Sequence, residues 1–322
     1  MKQNKIRTNT LYVLLVAVLV IGAAFFLFSA NLNNERTIKI GYKNHVAYAP
    51  LFVGIEKGFF VDEGLIIEPI VFDSTNQMVG AIVSGHLDSS LGGANLQTIF
   101  SVEEKLPGSI KIFSTLDLEE DSLFTCVIVK ENSKIQSIKD LEDLSAATLP
   151  GTFAPLWIKA SLKQFNLNIS NIELIQIAPN LQLAALESSQ VDSLFTVEPV
   201  CSFSLNKGIG KIIYKDPMND LTNVFAANIV SSDFAEDNPL VMEQLIRASD
   251  KIVDFIRANP KEAIEIMAKY TGYENDLIQG MELPSFSKST ELNIAELQEL
   301  ASIFYSEEIL KERIVVEDMI LS

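Results

Sequence analysis

Cysteine and histidine, which supply many catalytic and metal-binding groups, are scarce in this chain. Its 322 residues include two cysteines, Cys126 and Cys201, and two histidines, His45 and His86. These four residues are scattered, so no zinc-site spacing is present, and no Ser/His/Asp set is evident. The motif GxxxxGK(S/T) is also missing, which excludes ATP hydrolysis by a P-loop. We therefore expect neither a catalytic centre, nor a metal site, nor a cofactor.

Basic residues are few relative to acidic ones. The chain has 25 Lys and Arg against 42 Asp and Glu, a formal net charge of −17. Nucleic acids and anionic membranes bind proteins through a basic face, so this balance argues against either as the main ligand. A local anion site is still compatible with it, and Lys43 and His45 are candidates.

The two cysteines allow two interpretations. Outside the cytoplasm, Cys126 and Cys201 are able to form a disulfide. They are equally compatible with two small, buried hydrophobic side chains. Pairing requires that their Cβ atoms lie close together, which a sequence does not reveal, so the sequence favours the second interpretation and leaves the first open.

The N-terminus has the pattern of an export signal or a membrane anchor. Three basic residues precede an unbroken apolar run at residues 11–28. This run is just long enough to span a bilayer. Cleavage after Ala30 would place the bulky Phe28 where a small residue is preferred. We therefore expect residues 1–30 to be an uncleaved anchor that holds an extracytoplasmic protein, in the periplasm or at the cell surface, on the cytoplasmic membrane.

Strand-like and helix-like segments alternate after the N-terminal region, with short connections between them. This alternation is typical of an α/β fold whose parallel strands are joined by crossover helices. The segment APLFV at 49–53 recurs as APLWI at 154–158, and SGHLDS at 84–89 recurs as SSQVDS at 188–193. The offsets, 105 and 104 residues, are nearly equal. The repeat indicates two α/β units of similar design.

Ligands of such sheets bind beyond the carboxyl ends of the strands, and this rule selects loops rather than a catalytic motif. Glycines there allow close backbone approach, and helix starts favour an anion or a carbonyl group. Each selected residue also has a purely structural interpretation as a turn glycine, a helix cap or a core aromatic. The predicted ligand-binding residues are Tyr42, Asn44, His45, Tyr48, Ser74, Thr75, Gly93, Ala94, Asn95, Gly151, Thr152, Phe153, Thr196 and Glu198.

One family shares these features in the same order. The opening of the chain reads IKIGYKNHVAYAPLFVGIEKGFFVDEGLIIEPIVF, and later segments read SGHLDSSLGGAN, IQSIKDLEDL, VDSLFTVEP and FAEDNPLVMEQLIRASDKIVDFIRANPKEA. This series resembles the nitrate/sulfonate/taurine-type substrate-binding proteins of ABC transporters, whose relatives include binders of thiamine-pyrimidine precursors. The resemblance covers about residues 37–272.

The resemblance implies a type II periplasmic-binding-protein fold. Two lobes, each with a mostly parallel sheet flanked by helices, are expected to be joined by two crossover strands. The first lobe is predicted at residues 37–121 and 218–322, and the second at 122–217. The implied function is capture of a small polar organic or oxyanion ligand between the lobes. A monomer would then deliver this ligand to a membrane permease and its ATPase, and closure of the lobes would bury it.

Two other functions stay open. Some relatives make a thiamine pyrimidine with their own histidine, so an enzyme on this scaffold is one alternative. A membrane-tethered sensor or adhesion ectodomain is the other. Departures from the family pattern, such as Val197 in place of a common aromatic residue, weaken any transfer of ligand identity. Nitrate, an alkylsulfonate, a pyrimidine and an amino-acid-like compound are all candidates.

Overall fold

The computed structural model describes residues 36–119 and 122–321. Its strands are β1 (Arg36–Tyr42), β2 (Leu65–Val71), β3 (Ser89–Asn95), β4 (Ile110–Asp117), β5 (Thr125–Lys130), β6 (Ser145–Thr148), β7 (Glu173–Gln176), β8 (Ser193–Val197), β9 (Gly210–Lys215), β10 (Val224–Ser231) and β11 (Ser285–Phe286). Its α-helices are α1 (Ala49–Lys57), α2 (Phe59–Asp62), α3 (Thr75–Val83), α4 (Leu96–Lys105), α5 (Phe153–Gln164), α6 (Pro179–Glu187), α7 (Val200–Asn206), α8 (Ser232–Asp237), α9 (Pro239–Ala258), α10 (Pro260–Thr271) and α11 (Ile294–Ser306).

The predicted membrane anchor at residues 1–30 lies outside the described part of the chain. Within the described ranges, no helix combines the length and the apolar character that crossing a bilayer requires. The anchor therefore stays a prediction from sequence.

The strands form two mixed sheets. The first sheet has the order β11-β4-β10-β3-β1-β2 and the second sheet has the order β7-β6-β8-β5-β9. In the first sheet β1, β2, β3 and β4 run in one direction, while β10 and the short edge strand β11 oppose them. In the second sheet β6, β7, β8 and β9 share one direction and β5 opposes them. The expected parallel arrangement thus holds for most strands, with a reversed strand inside each sheet.

The two sheets repeat one topology. The order β2-β1-β3-β10-β4 matches β7-β6-β8-β5-β9 position by position. Equivalent helices follow equivalent strands, because α1 and α5 follow β1 and β6, α3 and α6 follow β2 and β7, and α4 and α7 follow β3 and β8. The sequence repeat therefore corresponds to two α/β units of the same design.

The chain passes between the sheets twice. Strand β5 follows β4 but lies in the second sheet, and β10 follows β9 but lies in the first. The crossing segments are bonded to each other, since the N–H of Leu118 donates to the carbonyl of Asn223 at 2.7 Å. Beside them, the N–H of Asp216 donates to the carbonyl of Thr125 at 2.9 Å. Two adjacent connections of this kind permit hinge rotation of one sheet relative to the other.

The end of β3 packs closely against the turn at Val46–Tyr48. Gly92 has φ +108°, and a Cβ atom there would lie 2.4 Å from the carbonyl oxygen of Ala47 and 2.7 Å from Cα of Tyr48. Only glycine adopts this conformation and leaves this space without strain. The contact sets the distance between the loops that follow β1 and β3.

Cys126 and Cys201 form a disulfide with an S–S distance of 2.02 Å. Both residues are fully buried. The interpretation as two unpaired hydrophobic side chains, which the sequence favoured, is therefore wrong, because the fold brings together residues 75 positions apart. The bond ties the reversed strand β5 to the first turn of α7, just after the cis peptide bond between Glu198 and Pro199.

Candidate functional site

A cavity of about 790 Å³, here called the main cavity, lies between the two sheets. This volume is in the range of small-molecule sites. Loops and helix starts from both α/β units form its walls. The predicted residues that line it are Ser74, Thr75, Asn95, Gly151, Thr152 and Phe153. Other lining residues include Lys43, Asn76, Gln97, Thr98, Trp157, Pro179 and Met218.

Four helices begin at the main cavity. The helices are α3, α4, α5 and α6. Their N-terminal residues that line the main cavity are, respectively, Ser74, Asn95, Thr152 and Pro179. The hydroxyl of Ser74 accepts from the N–H of Gln77 at 3.2 Å, and Asn95 accepts from the N–H of Thr98 at 2.8 Å. These two side chains therefore cap their helices, as their structural interpretation predicts. The converging helix dipoles favour an anionic group in the space between them.

Lys43 adds a full positive charge to this wall. It follows β1 directly and is half-buried. None of the ion pairs within residues 36–119 and 122–321 includes it. Burial lowers the pKa of the Lys43 ammonium group, because desolvation disfavours its charged form. An anion bound beside Lys43 would offset this cost.

Trp157 contributes an unpaired donor. The residue lines the main cavity and is fully buried. Its indole N–H has no hydrogen-bond partner in the part of the chain that the structure describes. A buried donor without a partner costs free energy, so an acceptor on a bound solute would be favourable here.

Contacts between the two units border the main cavity. The side-chain amide of Gln97 donates a hydrogen bond to the hydroxyl of Thr152. The ring of Phe153 packs edge-on against Phe304, with ring centroids 5.5 Å apart. Further along α5, the ammonium group of Lys159 pairs with Glu307. The structure therefore represents a state in which the two units touch across the cavity.

Four predicted residues lie in or against the core that supports the cavity rather than in its lining. Tyr42 packs edge-on against Phe52 at 5.2 Å. Tyr48 is fully buried, and burial raises the pKa of its hydroxyl. The remaining two are Gly93, which packs beside the Tyr48 ring, and Ala94, which pairs with β10.

Thr196 and Glu198 lie inside the second unit. The hydroxyl of Thr196 donates to the side chain of Gln182. The carboxylate of Glu198 is fully buried and accepts from the N–H of Ser202 at 3.0 Å and from its hydroxyl at 2.5 Å. Burial raises the pKa of Glu198 to about 7, although the Ser202 hydrogen bonds act in the opposite direction. The geometry gives both residues structural partners and places neither in the main cavity.

Asn44 and His45 line a different space, the second cavity, of about 780 Å³. The imidazole Nδ1 of His45 accepts from the N–H of Ala47 at 3.2 Å. Burial, together with the smaller effect of the Lys43 charge, lowers the pKa of His45 to about 3. His45 is therefore neutral near pH 7 and does not supply a positive charge to a ligand.

The loop rule that selected Asn44 and His45 applies equally to Lys43. The sequence indicated Lys43 as a candidate for a local anion site, although the list of predicted ligand-binding residues did not include it. Gln97 and Trp157 lie inside helices, and no sequence signal identified them. Their positions depend on how α4 and α5 face each other across the cavity.

A protein with two α/β units and a ligand-sized cavity between them has the architecture of the periplasmic binding proteins. The chain matches the NMT1-like family over residues 32–272. It therefore belongs to the NMT1-like family.

Individual relatives agree with this assignment. A binding protein of Brucella abortus is 22% identical over 252 residues, which cover 77% of this chain and 76% of that protein. The periplasmic aliphatic sulphonate binding protein of Escherichia coli has a similar structure, with a TM-score of 0.73 at 17% identity over 89% of this chain and 98% of that one. A desulfurization enzyme has a TM-score of 0.68 at 16% identity over 89% and 96% of the two chains. At these identities the structural matches establish the fold.

Proposed function

We propose that this protein is the extracytoplasmic substrate-binding protein of an ABC importer and that it captures a small organic anion. One observation carries the proposal, namely that Lys43 lies in the main cavity, without an ion-pair partner in the described chain, where four helices begin. This arrangement attracts an anionic group. The similarity to a sulphonate-binding protein supports an organic sulfonate as the first class of ligand to test.

In this proposal the first lobe comprises residues 37–121 and 218–322, and the second lobe comprises 122–217. The distribution of the strands between the two sheets supports this division. The solute contacts Ser74, Thr75, Asn95, Gly151, Thr152 and Phe153, and its anionic group pairs with Lys43. Binding then favours the closed arrangement over an open one, because only the closed arrangement contacts the solute from both sides.

The proposed partners are a membrane permease and its ATPase, and the proposed oligomeric state is a monomer. A nucleotide motif is missing from this chain, so its partners would supply the energy for transport. The disulfide between Cys126 and Cys201 supports an oxidising, extracytoplasmic compartment. The apolar segment at residues 11–28 would hold the protein at the membrane.

The fluorescence of Trp157 provides the direct test, because it is the only tryptophan in the sequence and lines the main cavity. Purified protein is titrated with taurine, alkylsulfonates, nitrate and neutral pyrimidines, and its melting temperature is measured in parallel. We expect at least one organic sulfonate to change the emission and raise the melting temperature, since a ligand of the folded state stabilises it. A response to neutral pyrimidines alone, or no response to any anion, would contradict the proposal.

The alternative function is that of an enzyme, because a desulfurization enzyme has a similar fold. A free thiol is not available as a nucleophile, because both cysteines of the sequence are in the disulfide. Within the described ranges, no group of three or more His, Cys, Asp or Glu side chains is placed to hold a metal ion. Recovery of each bound solute unchanged after incubation, checked by mass spectrometry, is the expected outcome.

A further inference from the structure

We propose that the solute is an amphipathic anion whose ring-sized apolar body occupies the second cavity while its anionic group lies beside Lys43. This inference rests on the proposed function, because it requires an anion in the main cavity. It adds a second subsite and narrows the ligand from small oxyanions to organic anions with a hydrophobic body.

The second cavity has walls suited to an uncharged group. It lies between α6 and α7 on one side and Asn44, His45 and Tyr273 on the other. The two charged side chains that line it, Glu187 and Lys207, belong to exposed residues. The apolar part of its wall consists of Pro179, Leu183, Pro199, Val200, Phe203 and Ile209. Such a wall removes apolar surface of a ligand from water.

The two cavities share a wall. Pro179 lines both of them. Lys43 lines the main cavity, and the next two residues, Asn44 and His45, line the second. In the proposal, a ligand whose anionic group pairs with Lys43 extends past Asn44 and Pro179 into the second cavity. Both cavities draw their walls from the two α/β units, so both form when these units meet.

Aromatic groups from opposite units meet at the second cavity. The rings of Phe203 in α7 and Tyr273, after α10, are edge-on with centroids 5.3 Å apart. The hydroxyl of Tyr273 donates to the carbonyl of Asn44 at 3.3 Å. The neutral imidazole of His45 adds a third ring without adding charge. Rings in such arrangements pack favourably against a further aromatic or alicyclic group.

The overall charge also favours a ligand with an apolar body. A net charge of −17 repels anions at long range, and among the described residues that line the main cavity Lys43 and Lys105 are the cations that offset it, beside the acidic Asp73. Burial of a hydrophobic body does not depend on charge, so it supplies affinity that the anionic group lacks on this surface.

Isothermal titration calorimetry on the purified full-length protein tests the inference with matched ligands. Propanesulfonate is compared with phenylethane-, phenylpropane- and phenylbutanesulfonate, so that linker length covers the reach between the cavities. We expect the best phenyl ligand to bind at least about tenfold more tightly than propanesulfonate, which is the size of effect that burial of a ring gives.

Two substitutions locate this preference. Ala184→Phe fills the second cavity from an exposed position, and Phe203→Leu removes an aromatic wall. The phenyl preference is the affinity for the best phenyl ligand divided by the affinity for propanesulfonate. Both substitutions are expected to reduce this ratio to less than about a third of its value in the unmodified protein. Leu205→Ala is the matched control, because Leu205 is exposed on α7 and lines neither cavity. We expect it to retain the full preference.

The outcomes separate the two proposals. Equal affinities for propanesulfonate and all phenyl ligands, or an unchanged preference in Ala184→Phe, would overturn the second subsite. The proposed function would survive this result if propanesulfonate still binds and Lys43→Met weakens it. If none of the sulfonates binds, the proposed anion site fails and the inference fails with it.

Discussion

The backbone N–H of Leu118 donates a hydrogen bond of 2.7 Å to the carbonyl of Asn223, and this contact joins the two segments that cross between the sheets. Because the crossings lie side by side, any relative rotation of the sheets would take place about one common region. A solute that touches both units then stabilises the arrangement in which they meet, which couples binding to hinge motion.

Substitution of Lys43 by methionine should weaken sulfonate binding by about 10-fold to 100-fold, because a hydrogen bond to a charged group contributes about 1.5–3 kcal/mol. Calorimetry of Lys43→Met against the unmodified protein measures this loss. Lys139→Met is the matched control, since it removes the same charge from an exposed position outside the main cavity. Equal losses in both variants would indicate a general charge effect.

The sulfonate affinity should also depend on pH through Lys43. Burial lowers the pKa of its ammonium group below the ordinary value of 10.5. An anion binds the protonated form of Lys43, so the affinity is highest at low pH. It falls as the pH rises, and the fall begins below pH 10.5. Affinities measured across the alkaline range, with Lys43→Met as reference, check this. A pH-independent affinity up to that value would contradict the assignment.

Glu198→Gln should remove a pH dependence of stability. Burial raises the pKa of Glu198 from 4.5 to about 7 in the folded protein. Between these two pH values the Glu198 carboxyl group is therefore protonated in the folded state and ionised in the unfolded chain. The contribution of Glu198 to the free energy of unfolding should fall as the pH rises from about 4.5 through about 7, by about 1–3 kcal/mol. The lowered pKa of buried His45 acts in the opposite direction below about pH 6.5, so the Glu198 contribution is measured as the difference between the unmodified protein and Glu198→Gln.

Urea denaturation at about pH 5 and pH 8 measures this slope. We expect the free energy of unfolding at about pH 8, relative to that at about pH 5, to be higher in Glu198→Gln than in the unmodified protein, because a glutamine side chain stays neutral beside Ser202. Glu131→Gln, at an exposed position, should keep the slope of the unmodified protein. Identical slopes in all three proteins would show that Glu198 does not titrate in this range.

Removal of the disulfide should destabilise the folded protein. The Cys126→Ala/Cys201→Ala variant loses a cross-link between residues 75 positions apart, and we expect the free energy of unfolding to fall by about 4 kcal/mol. Urea denaturation with and without dithiothreitol measures this. Reductant should destabilise the unmodified protein by a similar amount and leave the variant unchanged. Two reactive thiols in the denatured, unreduced protein would contradict the pairing.

Gly92→Ala should lower the free energy of unfolding by more than about 2 kcal/mol. A methyl group there would collide with the backbone of Ala47 and Tyr48, at a φ of +108°. Gly80→Ala is the matched control, because Gly80 lies inside α3 with nothing within 4 Å of its added Cβ. This change should stabilise the protein by about 0.5–1 kcal/mol. A much smaller loss of unfolding free energy in Gly92→Ala would mean that the loops after β1 and β3 are free to separate.

Local patterns in the sequence were enough to predict the α/β architecture and some of the residues that line the main cavity. Residues 49–53 and 154–158 revealed the repeat because equivalent helices bury equivalent faces. Ser74 and Asn95 follow parallel strands of the first sheet, and Thr152 follows the equivalent strand β6 of the second. The same rule, that ligands bind beyond the carboxyl ends of such strands, selected all three. These features depend on short segments and on general rules of strand connection.

Contacts between distant segments were decided only in three dimensions. The partner of Cys126, the burial of Glu198 and the separation of His45 from the main cavity depend on how β5, α7 and the loop after β1 pack together. The unpaired indole of Trp157 likewise depends on the packing around α5. Burial and distance across a fold arise from the summed packing of many residues, so no local pattern in the chain encodes them.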